Sequence, residues 1–291
     1  MTLDLLLELS LNGLVIGSTY ALFAIGLALI FGVLEFVNFA HGEFYMLGAM
    51  ITATLVQTVG LDYWLTVPVV VVAGIVMGIA LYDGLFKRLR QGDFEKSILI
   101  TIGLAMVLQN GALYVWGPSP NLIKTDLVAR VYELGALTIP ATRAVGLAVA
   151  LAALTVVYLA LYRTRAGLAL RGAAQNRDAA LMVGIDPRRI SRYAVAGGIA
   201  LCTLSGAILA LTYTIFPTMG VYLVFKAFAI VIIGGLGSVI GAAVVGFGLG
   251  FVESFLGLYY GAATASILVF LAMIAVLLFR PLGLFGRRVR I

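Results

Sequence analysis

Apolar runs of about twenty residues follow one another along most of this chain. A helix needs roughly 20 apolar residues to cross a bilayer, whereas a membrane strand needs about half as many, with alternating polarity. Of the 291 residues, 63% are hydrophobic and only 11% are charged, and the mean hydropathy is +1.12. The sequence therefore predicts an all-α integral membrane protein, a polytopic helical bundle that forms a single domain over residues 1–291.

The runs predict about eight membrane spans. Six are continuous, and we number them spans 1 to 6. A further segment, 225–257, consists of two hydrophobic legs around the turn Gly234, Gly235, Leu236, Gly237 and Ser238. The spans are 11–33, 39–59, 64–86, 97–116, 144–162 and 193–215, and the last span is 265–279.

Lys and Arg are distributed very unevenly between the two sides of this predicted bundle. The segments 87–96, 163–192 and 280–291 hold four, seven and four of the 19 basic residues, and the other four, Lys124, Arg130, Arg143 and Lys226, fall on the predicted outer side. Because basic segments stay on the cytoplasmic side, the N-terminus is predicted outside and the C-terminus in the cytoplasm. Segment 225–257 must then enter the membrane and return to the outer side, as a re-entrant turn or a full hairpin. The segment 117–143 is predicted to be an external loop.

The longest polar stretch, 163–192, carries seven Arg against two acids. Residues 167–183 contain no Pro and are rich in Ala and Leu, so they predict a helix. Gly184 is in the position of a C-cap glycine, and Pro187 follows it. The stretch is either a handle for a soluble partner or only a positive-inside anchor.

A polar island, Asn38 to Glu43, lies between spans 1 and 2 and contains His41, the one histidine. Ionisable groups at membrane depth are costly and usually line a cavity or a relay. We favour a broken span 2 over the alternative, a solvated turn capped by Asn38. Gln109 and Asn110 are adjacent amides in span 4, so one of them is expected to face a pathway and the other to bond a neighbouring helix.

Several functions find no support in the sequence. There is no GxxxxGK[ST] phosphate loop, no Cys-based metal cluster because Cys202 is alone, and no nucleophile with a plausible base. We therefore predict no enzyme, no cofactor, no metal and no nucleic-acid partner. Small residues at every fourth position, in 13–21 and 234–254, predict close helix packing. Glu253 is expected at the outer interface, or else paired with a cation.

Four stretches resemble one transporter family. The stretches are NGLVIGSTYALFAIGLALIFGV with NFAHGEFYMLGA, then RAGLALRGAAQNRDAALMVGID, then FKAFAIVIIGGLGSVIGAAVVGFGLGFVES, and the ending RPLGLFGRR. They are similar to branched-chain amino-acid ABC importer permeases of the LivH type. The resemblance covers nearly the whole chain. Permeases of urea and short-chain amide importers share much of the pattern, so the substrate stays open between these classes.

The resemblance implies a bacterial inner-membrane assembly. Its partners would be a related M-type permease, two cytoplasmic ATPases and an extracytoplasmic binding protein, with lipid around the spans. The coupling helix, 167–184, would dock into an ATPase, and the polar island would lie near the translocation path. An ion-coupled carrier or channel, and a scaffold subunit without a pathway, are the competing functions. The implied coupling residues are Gly167, Arg171, Ala174, Gln175, Asn176, Arg177 and Gly184.

Overall fold

The computed structural model describes residues 3–89, 94–134 and 137–286, and it is helical over most of that length. Its elements in chain order are α1 Leu3–Leu34, α2 His41–Ala53, α3 Tyr63–Gly84, α4 Phe94–Trp116, α5 Asp126–Ala129, β1 Val131–Leu134, β2 Leu137–Pro140, α6 Ala141–Arg163, α7 Arg165–Gln175, α8 Arg177–Met182, α9 Pro187–Ala210, α10 Met219–Gly234 and α11 Val239–Phe279.

Six helices in the described part of the chain are long and apolar enough to cross a membrane. Five of them, α1, α3, α4, α6 and α9, contain most of the predicted spans 1, 3, 4, 5 and 6. The sixth is the first part of α11, which is interrupted at Gly261, where φ is 81°. Two shorter apolar helices, Met219–Gly234 and Ala263–Phe279, correspond to the first hydrophobic leg and to the last predicted span. The architecture is therefore that of a multi-pass helical membrane protein.

Helices α1 and α9 form the centre of the bundle. Both are buried along most of their length, whereas α3, α4 and α6 expose most of their apolar side chains, as lipid-facing helices do. The two central helices approach closely where two glycines meet, because a Cβ on Gly26 would lie 2.5 Å from the carbonyl oxygen of Gly198. Helix α9 also packs against α2 and α3, and α1 also packs against α11.

The small-residue ladders pack against each other, as predicted. Gly17 of α1 faces the backbone of Phe247, and Gly250 of α11 lies so close to Gly17 that a Cβ there would meet its backbone nitrogen at 2.2 Å. Ser254 continues the contact by donating a hydrogen bond from Oγ to the carbonyl of Leu9 at 2.7 Å. Close backbone approach of this kind is what drives helix association in lipid, where helices gain nothing from the hydrophobic effect.

The glycine-rich segment turns the chain between α10 and α11. Gly235 and Gly237 have φ of 101° and 77°, which residues with a Cβ rarely adopt. The turn packs on α1 near its end, since a Cβ on Gly237 would lie 3.1 Å from Cα of Gly32. The segment after α11 covers it from the other side, because Leu284 and Phe285 donate backbone N–H groups to the carbonyls at 233 and 234.

The loop 117–143 contains a feature that the all-α prediction missed. After the four-residue helix α5, strands β1 and β2 form an antiparallel hairpin with Val131 opposite Pro140. Alternation over four residues on each side is too short a signal to separate from a polar loop. The basic residues Arg90, Arg287, Arg288 and Arg290, which entered the charge count, lie outside the described residues.

Candidate translocation site and basic loop

The polar island is buried, so the alternative of a solvated turn is wrong. Asn38, His41 and Glu43 expose 1% or less of their surface. Asn38 caps the turn locally, accepting from the backbone N–H of Ala40 at 3.1 Å. Helix α2 begins at His41, and its main neighbours are α9 and α10. Span 2 is thus a short helix of 13 residues followed by a π-helical turn, Thr54–Thr58, and the polar residues are at its start.

His41 is fixed against the middle of α1. Its Nε2 lies 3.1 Å from the carbonyl oxygen of Phe23, and its ring stacks on the Phe23 ring at 5.0 Å between centroids. Its backbone carbonyl accepts from the Cys202 thiol at 2.9 Å. Phe23 is eleven residues before the end of α1, so the connection after Leu34 folds back and α2 starts at the depth of the middle of α1.

Glu43 lies against the beginning of α10. A Cβ on Gly220 would come within 2.8 Å of the Glu43 carboxyl group, and a Cβ on Gly42 would meet the Gly220 carbonyl oxygen at 2.1 Å. The first turn of a helix carries unpaired N–H groups and favours a nearby carboxylate. Among the described residues, Nδ2 of Asn38, Nδ1 of His41 and Oε2 of Glu43 have no hydrogen-bond partner. Three buried groups with free bonding capacity therefore lie on one short segment.

The two amides of span 4 are in a different environment. Helix α4 is the least buried of the long helices. Asn110 is exposed and donates from Nδ2 to the carbonyl of Met106 at 2.7 Å, one turn earlier in the same helix. It therefore does not make the interhelical bond expected of one member of the pair. Gln109 is half-buried on the same helix.

A second polar cluster joins α1, α10 and α11, and of its members the sequence singles out only Glu253. Lys226 forms a buried ion pair with Glu253 and donates to the hydroxyl of Tyr20 at 2.9 Å. Tyr20 in turn donates to the second carboxylate oxygen of Glu253 at 2.5 Å. The Tyr222 hydroxyl and Oγ of Ser266, 2.6 Å apart, complete the cluster, and Ser266 also lies 3.3 Å from the carboxylate.

The alternative given for Glu253, pairing with a cation, is therefore confirmed, whereas its placement at the outer interface and that of Lys226 outside the bundle are wrong. Only 8% of the Lys226 side chain and 11% of the Glu253 side chain are exposed. The ammonium group also lies 4.9 Å from the centroid of the Tyr222 ring, a cation–π contact. One sequence signal was available: both residues are single charges inside apolar runs, and intramembrane charges are usually paired.

The basic loop 163–192 folds into two helices, so the prediction of one helix over 167–183 is wrong. Helix α7 ends at Gln175, and Asn176 adopts an extended conformation, with φ of −156°, and caps α8 by accepting from the N–H of Ala179 at 2.9 Å. Asn is a favoured N-cap residue, and here its capping preference overrides the helix propensity of the flanking alanines. Ala174 is exposed beside this break.

Both ends of the helix pair depend on glycine. At Gly167 the chain turns so sharply from α6 that a Cβ would meet the carbonyl oxygen of Ala160 at 2.2 Å. The C-cap prediction for Gly184 is confirmed: its φ is 81°, its N–H bonds the carbonyl of Leu181, and the N–H of Ile185 bonds that of Ala180. This is the hydrogen-bond pattern of a Schellman motif.

The loop presents both charge and apolar surface. The Arg171 guanidinium packs over the ring of Tyr162 at 4.6 Å, which ties α7 to α6. Leu181, Met182 and Val183, at the end of α8, are more than half exposed. Exposed apolar residues on an otherwise polar loop favour contact with another protein.

Arg177 helps to line a polar cavity of about 420 Å³ together with the end of the α3 region. Lys87, Arg88 and Arg188 are its other basic residues. Arg192, which follows, pairs with Asp83 at 2.7 Å. The two basic loops, 87–96 and 163–192, are thereby brought to the same end of the bundle.

Residues 9–277 match the model of a protein family described as branched-chain amino acid transport system / permease component. The chain belongs to this family. The match includes α2, the basic loop, the glycine-rich turn and the buried ion pair, so every site described above lies within the family's region.

Curated relatives extend the similarity to almost the full chain. The high-affinity branched-chain amino acid transport system permease protein BraD of Pseudomonas aeruginosa is 30% identical over 297 residues, covering 97% of this chain and 96% of BraD. The corresponding permease protein LivH of Escherichia coli K12 is 29% identical, and a probable LivH of Methanocaldococcus jannaschii is 27% identical, with coverage of at least 94% of each chain. No solved structure gives a significant match. The family is one of membrane transport permeases.

Proposed function

We propose that this chain is the permease subunit of an ABC importer that carries branched-chain amino acids across the cytoplasmic, or inner, membrane. The observation that carries the proposal is the match to this permease family over nearly the whole chain, together with relatives such as BraD and LivH that are named for branched-chain amino acid transport. ATP would be hydrolysed by two separate ATPase subunits. A related M-type permease and an extracytoplasmic binding protein would complete the assembly.

The orientation proposed is N-terminus outside and C-terminus in the cytoplasm. Contacts between loops support it. The two basic loops meet at the cavity lined by Arg177 and Lys87, on the side assigned to the cytoplasm. On the opposite side, Asn121 of the loop 117–143 pairs with Ile215 beyond α9, and its amide reaches Gln57 at the end of span 2. Loops predicted on the same side of the membrane therefore contact one another.

In this orientation the glycine-rich turn reaches the cytoplasmic end of the bundle. Its contact with Gly32, two residues before the end of α1, supports a hairpin rather than a turn at mid-depth. The contact with Leu284 in the cytoplasmic tail supports the same placement. The irregular backbone between α9 and α10, residues 211–218, then enters from outside. Together with α1, α3, α4, α6 and α9, the helices α10, the short α2 and both parts of α11 give nine spanning or partly spanning segments in the described chain, against the predicted number of about eight.

We assign ATPase coupling to α7 and α8. Exposed Met182 and Val183 give the loop an apolar contact surface, and Arg177 provides charge at its centre. The polar island, with Asn38, His41 and Glu43, is assigned to the translocation path because it is buried at the depth of the middle of α1 and has free hydrogen-bonding groups. Gln109 and Asn110 are also assigned to the path, with less support, because the amide of Asn110 is exposed.

The test is uptake by proteoliposomes containing the permeases, both ATPases and the binding protein. We expect uptake of radiolabelled leucine that requires ATP and does not respond to an ion gradient alone. Arg177→Glu should abolish uptake while leaving the fold intact, because it reverses a charge at the proposed docking surface. Tyr114→Phe, at a residue that is 92% exposed on α4, is the matched control and should transport normally.

Two outcomes would contradict this function, and a third would contradict only the coupling assignment. Uptake driven by an ion gradient without ATP would favour a carrier. Saturable uptake of urea or short-chain amides, without uptake of leucine, would favour the related importer class. Normal transport by Arg177→Glu with undiminished co-purification of the ATPase would remove the coupling assignment while leaving the permease function in place.

A further inference from the structure

The buried pair of Lys226 and Glu253 lies beside the middle of α1. Tyr20, which bonds both charges, is close to the centre of α1, whose described length runs from residue 3 to residue 34. It is three residues before Phe23, whose carbonyl contacts the polar island. The two polar clusters are therefore at similar depth, and α10 connects them, because Gly220 contacts Glu43 and Lys226 contacts Glu253.

Stability alone is a poor reason for such a pair. Moving two charges out of water costs several kcal/mol per ion, and well-packed hydrophobic residues of similar volume are often as stable or more stable. In membrane proteins, buried ionisable residues typically mark substrate or ion pathways. Helices α10 and α11, which carry the pair, already approach closely at Gly234 and Gly241, so their association does not require the ion pair.

The surrounding hydroxyl groups allow the two charges to separate without becoming unpaired. Tyr20 can accept from the ammonium group and donate to the carboxylate, and Ser266 lies within 3.3 Å of the same carboxylate. The ring of Tyr222 contacts the Lys226 ammonium from the outer side of α10. Tyr222 and Phe225 are about half exposed, so the pair lies directly beneath the surface of the described chain.

The elements that hold the pair also have places at which they can move. Helix α10 has only 16 residues, with irregular backbone before it and the glycine turn after it. Helix α11 is broken at Gly261, between Glu253 and Ser266. A small shift of α10 relative to α11 would therefore open the pair without unfolding either helix.

An amino acid at neutral pH carries the same two charges as this pair, a carboxylate and an ammonium group. We propose that Lys226 and Glu253 form a zwitterion site in the translocation path, where Lys226 takes the cargo's α-carboxylate and Glu253 its α-ammonium. The empty site closes on itself as the ion pair. The proposal rests on the proposed function, since it assumes amino-acid cargo, and it explains how the path would favour a zwitterion over neutral urea or an amide.

The experiment uses the complete transporter in proteoliposomes with radiolabelled leucine. The variants are Lys226→Met, Glu253→Gln and the double variant Lys226→Met with Glu253→Leu, with Tyr114→Phe as control. We expect each single variant to lose at least tenfold in uptake, and the double variant to stay equally inactive although it assembles and melts like the wild type. A purely structural pair predicts the opposite, because removing both charges together would restore uptake.

A second measurement needs only the wild-type permease–ATPase complex. Millimolar leucine should raise its apparent melting temperature, whereas isoamylamine, 4-methylpentanoate and isobutyramide, which each lack one or both charges, should not. No shift with leucine, or an equal shift with isobutyramide, would overturn the zwitterion site. If instead the wild type takes up no leucine with its binding protein and ATP, the proposed function fails, and the two failures are thereby distinguished.

Discussion

The close contact between Gly250 and Gly17 predicts that α1 and α11 are held together by glycine packing, which a single added methyl group should disrupt. In Gly250→Ala, the added Cβ would lie 2.2 Å from the Gly17 nitrogen, 2.3 Å from its Cα and 2.6 Å from the carbonyl oxygen of Gly13. All three atoms belong to backbone, so no side chain can rotate away. Because ordinary contacts to a Cβ are 3.4 Å or longer, the two helices must separate by about 1 Å, which loses roughly a quarter to a half of each dispersion contact along the seam.

The same helix provides the control. Gly248, two residues away, has nothing within 4 Å of an added Cβ and is exposed. Both substitutions gain the helix propensity of Ala over Gly, about 1 kcal/mol. Only Gly250→Ala pays the overpacking penalty, about 1–3 kcal/mol. The difference between the two variants should therefore be about 1–3 kcal/mol, and the apparent melting temperature of Gly250→Ala should be several degrees below that of Gly248→Ala.

Cys202 supplies the assay. It is the one cysteine of the chain, it is fully buried on α9, and its thiol donates to the His41 carbonyl. A maleimide dye should therefore react only when the bundle opens, so labelling during a temperature ramp in detergent reports unfolding. If the two alanine variants label at the same temperature, the α1–α11 seam is not set by glycine contact, and the packing argument is wrong.

Two further predictions concern local caps. Gly184→Ala should destabilise the loop by about 1 kcal/mol, because φ of 81° is strained for Ala, and proteolytic cleavage within 163–192 should become faster. The control is Gly172→Ala, at an unobstructed helical position, which should protect the loop from cleavage. Equal cleavage of both variants would count against the assignment of Gly184 as the cap. Asp62→Ala should lower the stability of the bundle by about 1 kcal/mol, since Asp62 accepts from the N–H of Trp64 at 2.8 Å at the start of α3. An unchanged temperature of Cys202 labelling would refute this.

Hydrophobicity alone predicts the membrane helices of this chain because lipid imposes one requirement on every span. Each backbone group must be bonded within its own helix, so length and apolarity suffice to locate α1, α3, α4, α6 and α9. The turn between α10 and α11 is also readable, since its consecutive glycines permit the positive φ values found at Gly235 and Gly237. What these signals do not give is depth, and for that reason the start of α2 against the middle of α1 was only partly predicted.

Pairing between helices is harder to read from the chain. A symmetric hairpin about Leu236 would place Lys226 opposite a residue near position 246, about two helical turns before Glu253. The observed pair depends instead on how α10 and α11 lie against α1, which local sequence does not encode. The break at Asn176 was missed for a related reason: helix propensity is summed over many residues, whereas one capping side chain acts at a single position.

The packing glycines and the polar clusters are two parts of one arrangement. The Gly42–Gly220 contact brings the Glu43 carboxyl onto the first turn of α10. The contact of Gly250 with α1 sets the register in which Glu253, three residues later, reaches Tyr20. A widened α1–α11 seam should therefore move the carboxylate away from the tyrosine hydroxyl. Uptake by Gly250→Ala is expected to fall even at temperatures at which the bundle remains folded.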